Sequence, residues 1–216
     1  MNVLVTGGAG FIGSHVADLF IKNNHDVTVI DNLSNGNIKN INSKAKFYQI
    51  DILDNLYRVF KKEKFDAVIH NAALIDANES ISKPEPYEKV NFKGTINLLE
   101  HCIKFNVKKF IYASSNAIYG NPKYLPCDES HTKNPVNPYG KTKLKAENEI
   151  IKYSDKYGMN YIILRYSNIY GPRQNPFKGG VIIKFLNNAM NNKKLIINGE
   201  GKQTRDFLFV EDAALA

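Results

Sequence analysis

NVLVTGGAGFIG, residues 2–13, decides the architecture. Asn2–Thr6 is a short apolar run, the glycines follow at once, and residues 11–23 then carry Ile12, Val16, Leu19 and Phe20 at helical spacing. That order predicts strand, tight turn, helix. In this setting Gly7 permits the turn, Gly10 lets the backbone approach a pyrophosphate, and Gly13 lets the helix pack closely on the strand. The amides at the helix start then face the anion. A glycine triplet alone would be weak evidence. Asp31 strengthens it: it follows the β-branched run DVTVI (26–30), where a carboxylate can hold a ribose hydroxyl. A 2′-phosphate there would meet like charge with no arginine nearby in sequence, so NAD is expected rather than NADP. The competing reading of Asp31 is a plain turn residue after a strand.

Strand and helix patterns keep alternating downstream. Strands are expected at 46–50, 66–70, 108–114 and 160–165, and helices at 53–62, 84–105 and 138–157. This pitch predicts an α/β protein with a Rossmann-type doubly wound parallel sheet and ligands at the carboxyl ends of its strands. Asp51 and Ile52 follow the third strand, on the adenine side of such a fold; alone, Asp51 reads equally well as a helix cap. The Pro- and Asn-rich loop 121–137 is long enough to be functional. Beyond Arg165 the alternation lapses, leaving an expected helix at 181–191, a short strand at 195–197, and the first turn of a helix in VEDAALA.

Bulk properties remove several function classes. The 216 residues suffice for one sizeable core, and 43% hydrophobic with 23% charged residues is ordinary globular composition. The longest apolar runs are far too short to cross a bilayer, and Met1 leads straight into a strand pattern, so the expectation is a soluble cytoplasmic protein without a membrane partner. Cys102 and Cys127 lack CxxC spacing, which argues against a disulfide framework or a metal site. The formal charge of +8 is spread over scattered lysines. It reads as a solvated surface or as help in attracting a phosphorylated substrate, rather than as a nucleic-acid interface.

Tyr139 and Lys143, in YGKTK, lie at i and i+4 near a helix start and therefore on one face. An ammonium near a phenol favours the phenolate, which a general base for alcohol oxidation requires. Such a pair on a solvated helix surface is the bland alternative. Ser114 and Ser115 end the fifth strand, at the edge where a cofactor would lie, and a hydroxyl there can bond a substrate oxygen and relay its proton. Otherwise they are capping serines.

Together these pieces resemble the extended short-chain dehydrogenase/reductase family acting on nucleotide sugars, in particular epimerases of the UDP-glucose 4-epimerase type. The matching segments are TGGAGFIGSH (6–15), DNLSNG (31–36), HNAA (70–73), NFKGTINLLE (91–100), SSNAIYG (114–120), NPYGKTK (137–143), RYSNIYGPRQ (165–174) and GEGKQTRDFLFVED (199–212). The resemblance implies that Gly7, Gly10, Phe11, Ile12, Asp31, Asn32, Asp51, Ile52, Ala72 and Ala73 border NAD, with Asn91 near the active site. It implies Tyr139 and Lys143 as the catalytic pair, also touching the cofactor, and Ser115, four residues before Tyr119, as their serine. Asn168, the backbone around Val181, and Arg205 would hold the nucleotide diphosphate, with Ser115 on the sugar. A homodimer through helices 91–105 and 138–157 is the family expectation.

The family's sugar 4,6-dehydratases carry an acidic pair after the triad threonine, where Asn116 and Ala117 stand here. The resemblance therefore implies 4-epimerisation of a UDP-hexose through a 4-keto sugar, ahead of dehydration, decarboxylation or reduction. Ser167 stands where Phe is common, and Asn198 precedes Gly199 where an aromatic often packs on the base, so the base contact departs from the pattern. Residues 1–166 read as the NAD-binding domain and 167–216 as a partial nucleotide-sugar-binding region. The chain stops at Ala216 where relatives continue, so a shortened or split chain is expected, with a non-catalytic dinucleotide-binding module as the remaining alternative.

Overall fold

The computed structural model describes residues 1–176 and 179–216. Six strands form one parallel sheet: β1 (Asn2–Thr6), β2 (Asp26–Asp31), β3 (Lys46–Gln49), β4 (Ala67–His70), β5 (Lys109–Ser115) and β6 (Asn160–Tyr166), in the order β3-β2-β1-β4-β5-β6. Side chains of β1 alternate between two cores, as a strand covered on both faces requires. Leu4 joins Ile30, Val68, Phe110 and Tyr112 on one side. Val3 and Val5 join Val27, Val29 and Ile69 on the other. Helix α1 (Phe11–Lys22) covers the second face through Val16 and Ala17.

The first face is covered by α2 (Tyr57–Glu63), by α5 (Gly94–Lys104) and by α6 (Pro138–Tyr157), whose Val59, Phe60, Leu98, Leu99, Cys102, Ala146 and Ile150 are buried in that core. Two shorter helices, α3 (Ala77–Ser82) and α4 (Pro84–Tyr87), precede α5. The ends of α6 are set locally. Asn137 caps it by accepting from the Gly140 amide at 2.8 Å, Pro138 opens its first turn, and Gly158 closes it at φ 70°.

Several expectations need correction. The helix expected at 53–62 starts only at Tyr57, because side chains upstream take the amides: Asp51 accepts from Leu53 at 2.9 Å and Asn55 from Tyr57 at 2.9 Å. The long helix expected at 84–105 is interrupted by a π-helical stretch, Glu88–Lys93, which leads into α5. Helix α3 was absent from the periodicity reading; Asp76 caps it, accepting from the Asn78 and Glu79 amides. Residues 195–197 form no strand. Their apolar side chains are exposed, and the pairing occurs instead between β7 (Asn168–Tyr170) and β8 (Phe207–Phe209), a separate parallel pair. Helix α7 (Val181–Met190) lies between them in sequence, and α8 (Val210–Leu215), seen in the sequence only as a first turn, packs on α1.

Candidate active site

Strand order reverses between β1 and β4, and a cavity of about 980 Å³ lies over the carboxyl ends of the sheet. It brings together Asp31, Asn32, Asp51 and Ile52 at one end, Gly7, Gly10, Phe11, Ile12, Ala72 and Ala73 in the middle, and Ser115, Tyr139 and Lys143 at the other.

The glycine end is assembled by main-chain atoms. Gly7 adopts φ 70°, donates to the Ile30 carbonyl at 2.8 Å, and accepts from the Gly10 amide at 3.0 Å. A Cβ on Gly7 would stand 2.7 Å from the Ala72 nitrogen, and one on Gly13 would collide with the Gly7 carbonyl oxygen. The loop therefore needs glycine at both places. No side chain caps the start of α1, so its first amides are available to an anion in the cavity. Asp31, 8% exposed, is fixed by the Ala9 amide on one oxygen (3.0 Å) and the Leu33 amide on the other (2.8 Å). Asn32 donates to Asp51 at 2.7 Å, tying the two expected adenine-side groups together. A dinucleotide fits this set: uncapped amides for the pyrophosphate, a held carboxylate for a ribose, and glycines where side chains would intrude.

A buried hydrogen-bond chain joins the glycine loop to the far end. The Ala72 amide donates to Thr6 Oγ1 at 3.3 Å, and Thr6 Oγ1 meets His70 Nδ1 at 2.7 Å. His70 Nε2 meets Thr95 Oγ1 at 2.9 Å, and that hydroxyl donates to the Asn91 carbonyl at 2.7 Å. Since the Thr95 proton is committed to Asn91, the protonated ring nitrogen is Nε2 and Nδ1 accepts from Thr6. Burial takes His70 down to about 3, with the Lys143 charge adding to the fall, so the imidazole is neutral. Asn91 holds both main-chain groups of Leu74, at 2.8 and 2.9 Å, and reaches Thr142 of α6 at 3.4 Å.

At the far end, Lys143 is 3% exposed and donates to the Ala113 carbonyl at 2.7 Å. Its Nζ is 4.8 Å from the Tyr112 ring centre and 6.0 Å from that of Tyr139. Burial brings the Lys143 ammonium down to about 7, opposed by the Glu147 charge. Burial also raises the Tyr139 phenol above its ordinary value, opposed by a hydrogen bond with Ser115. This corrects the expected charge coupling: desolvation dominates both groups, and the phenol's downward pull comes from Ser115. Ser115 itself accepts from the Ala117 amide at 3.1 Å.

Four expected ligand residues lie outside the cavity lining. Asn91 is buried and acts on Leu74, which does line the cavity. Asn168 is exposed and donates to the Asp206 carbonyl at 3.0 Å; Val181 is 42% exposed at the start of α7; Arg205 is exposed and donates to Thr204. Arg173, Gln174 and Gly179, which the sequence did not single out, line the cavity together with Ser167, and so does Gly180, the backbone neighbour of Val181. Arg173 pairs with Asp18 of α1 at 2.7 Å, a contact across 155 residues that no local pattern reveals. Glu147 was not singled out either, although it continues the spacing of four from Tyr139 and Lys143; the spacing marks its face of α6 but not its burial.

The family model described as the NAD dependent epimerase/dehydratase family matches residues 3–216. The chain belongs to that family. It is 49% identical over 218 residues to a protein of Methanocaldococcus jannaschii assigned provisionally as a UDP-glucose 4-epimerase, covering 99% of this chain and 71% of that one. It is 39% identical to a dTDP-D-glucose 4,6-dehydratase of Dictyostelium discoideum, covering 100% of this chain and 54% of that protein. The UDP-glucose 4-epimerase of Thermotoga maritima, solved with UDP-glucose, superposes with a TM-score of 0.98 at 41% identity, over 100% of this chain and 71% of the other. Among the described residues, no helix is long and apolar enough to cross a membrane, and no group of three or more His, Cys, Asp or Glu side chains is placed to hold a metal ion.

Proposed function

We propose that this chain carries the catalytic apparatus of an NAD-using nucleotide-sugar 4-epimerase that interconverts UDP-glucose and UDP-galactose. The observation that carries the reading is one cavity bordered by Asp31 and the glycine loop at one end and by Ser115, Tyr139 and Lys143 at the other. Bound NAD would supply the hydride acceptor and donor for sugar C4. Asp31 would hold the adenosine ribose, and the amides at the start of α1 the pyrophosphate. Tyr139 Oη takes the proton of the sugar 4′-hydroxyl and gives it back to the 4-keto oxygen, while Ser115 Oγ bonds the same oxygen and orients it. Lys143 fixes the cofactor's ribose and keeps positive charge near the phenol in the pH range where it is protonated. Residues 167–216 form part of the nucleotide-sugar-binding region, with Arg205 and Asn168 turned to the diphosphate once substrate is present.

The 4,6-dehydratase relatives favour a second reading. Elimination across C5 and C6 needs an acid and a base beyond Tyr139. In this chain Asn116 and Ala117 follow Ser115 in a 3₁₀ turn, and neither can serve. Incubation with UDP-galactose separates the two. The epimerase reading predicts a stable mixture with UDP-glucose, and accumulation of a 4-keto-6-deoxy sugar would replace it with the dehydratase.

A further inference from the structure

Glu147 has no place in the chemistry above, yet it is fully buried one helical turn beyond Lys143. Its Oε1 accepts from Ser114 Oγ at 2.5 Å and from Arg165 Nε at 3.1 Å, and its Oε2 accepts from Arg165 Nη2 at 2.9 Å. The same guanidinium donates through Nη1 to Tyr119 Oη at 2.9 Å and to the Glu129 carbonyl at 3.4 Å. One arginine of β6 thereby joins α6, the turn that follows β5 and the loop that leads back to the cap of α6. Burying this ion pair is expensive, and its geometry offsets the expense only because both carboxylate oxygens and the fork of the guanidinium are satisfied.

Register gives the cluster its meaning. Three residues on one stripe of α6, Tyr139, Lys143 and Glu147, meet three consecutive residues of β5: Ser115, Ala113 and Ser114 respectively. A shift of Ser114 is a shift of Ser115. The groups facing Lys143 are Tyr139 and Glu147 from α6, Tyr112 from β5 and neutral His70 from β4, with Arg165 of β6 behind Glu147. Of these, Glu147 supplies the negative charge that opposes the desolvation of the ammonium.

We propose that Glu147 is a positioning residue for the Ser115, Tyr139 and Lys143 trio: its carboxylate sets a buried negative charge one helical turn from Lys143, and its bond to Ser114 holds Ser115 in register with Tyr139. Arg165 holds Glu147 in place and limits its pull on Lys143. The proposal deepens the epimerase reading, but its primary test needs no substrate and would stand with a different reaction.

Lysine ¹³Cε chemical shifts are followed against pH in the whole chain, with the Lys143 signal assigned from Lys143→Met. Glu147→Gln keeps size and removes charge, and should lower the Lys143 titration by about one pH unit or more. Glu147→Asp, which keeps the charge, should restore most of it. Arg165→Gln should move the titration upward, because the carboxylate then acts on Lys143 unneutralised. In turnover with UDP-glucose, Glu147→Gln should lower kcat with a shifted pH profile and leave KM within about twofold, a split that simple loss of stability does not produce. An unmoved Lys143 titration in a folded Glu147→Gln protein overturns the proposal. So does a downward shift in Arg165→Gln, which decides the matter alone if Glu147→Gln does not fold.

Discussion

At the glycine end of the cavity, the loop is shaped chiefly by main-chain atoms at the ends of the first two strands; at the tyrosine end, side chains from β4, β5, β6 and α6 meet in a buried cluster. Gly7, Gly10 and Ala9 owe their roles to where their amides and carbonyls point, toward one another, Ile30 and Asp31, so the geometry is written in the first strand, turn and helix and the end of the second strand. Lys143, Glu147 and Arg165 owe theirs to burial, which no short pattern encodes. Main-chain recognition is rigid and insensitive to pH, whereas a buried ammonium near 7 makes the other end responsive to it. Substitutions at the two ends should therefore fail differently.

Tyr139→Phe carries the largest expected effect. Removing the proton-transfer oxygen should lower turnover by about 10² to 10⁴-fold. NAD affinity, measured by calorimetry, should stay within a few fold, because the pyrophosphate and ribose contacts lie at the opposite end. Comparable loss of NAD binding would mean that the two ends are not separable. Next is Lys143→Met. Lys143 titrates at about 7 when folded and near 10.5 when unfolded, so between those values the unfolded chain binds more protons. The contribution of Lys143 to stability is thus fully present only above 10.5 and is lost as pH falls toward 7. Urea midpoints should show the variant more stable than the wild type at pH 7, with the gap closing toward pH 10. Parallel profiles would show that Lys143 is not buried as described. Gly7→Ala should be smallest: strain at φ 70° and the approach to Ala72 cost about 1–3 kcal/mol, at any pH between 6 and 9, together with weakened NAD binding.

The same contrast explains what could be read beforehand. The six-stranded sheet, Asp31 and the Tyr139 to Lys143 pair were legible because each rests on local spacing: period two in the strands, glycine at the turn, i to i+4 on a helix. The direction of the Tyr139 shift was not, because spacing reveals a nearby ammonium but not the desolvation that outweighs it. Nor was the route by which Asn91 acts. Its side chain reaches the cavity only through Leu74, from a π-helical turn that the apolar pattern of residues 84–105 conceals. Residues 195–197 looked like a strand because Leu195, Ile196 and Ile197 are apolar, yet strand formation needs a partner edge, and β7 takes β8.

The chain spans 71% of the Methanocaldococcus relative and 54% of the Dictyostelium dehydratase, so the decisive test must identify the reaction and not merely the family. UDP-glucose deuterated at sugar C4 provides it. If Tyr139 moves the hydroxyl proton while the C4 hydride leaves and returns within the cavity, the UDP-galactose formed keeps its deuterium at C4. Deuterium found at C6, or lost to water, would contradict the account.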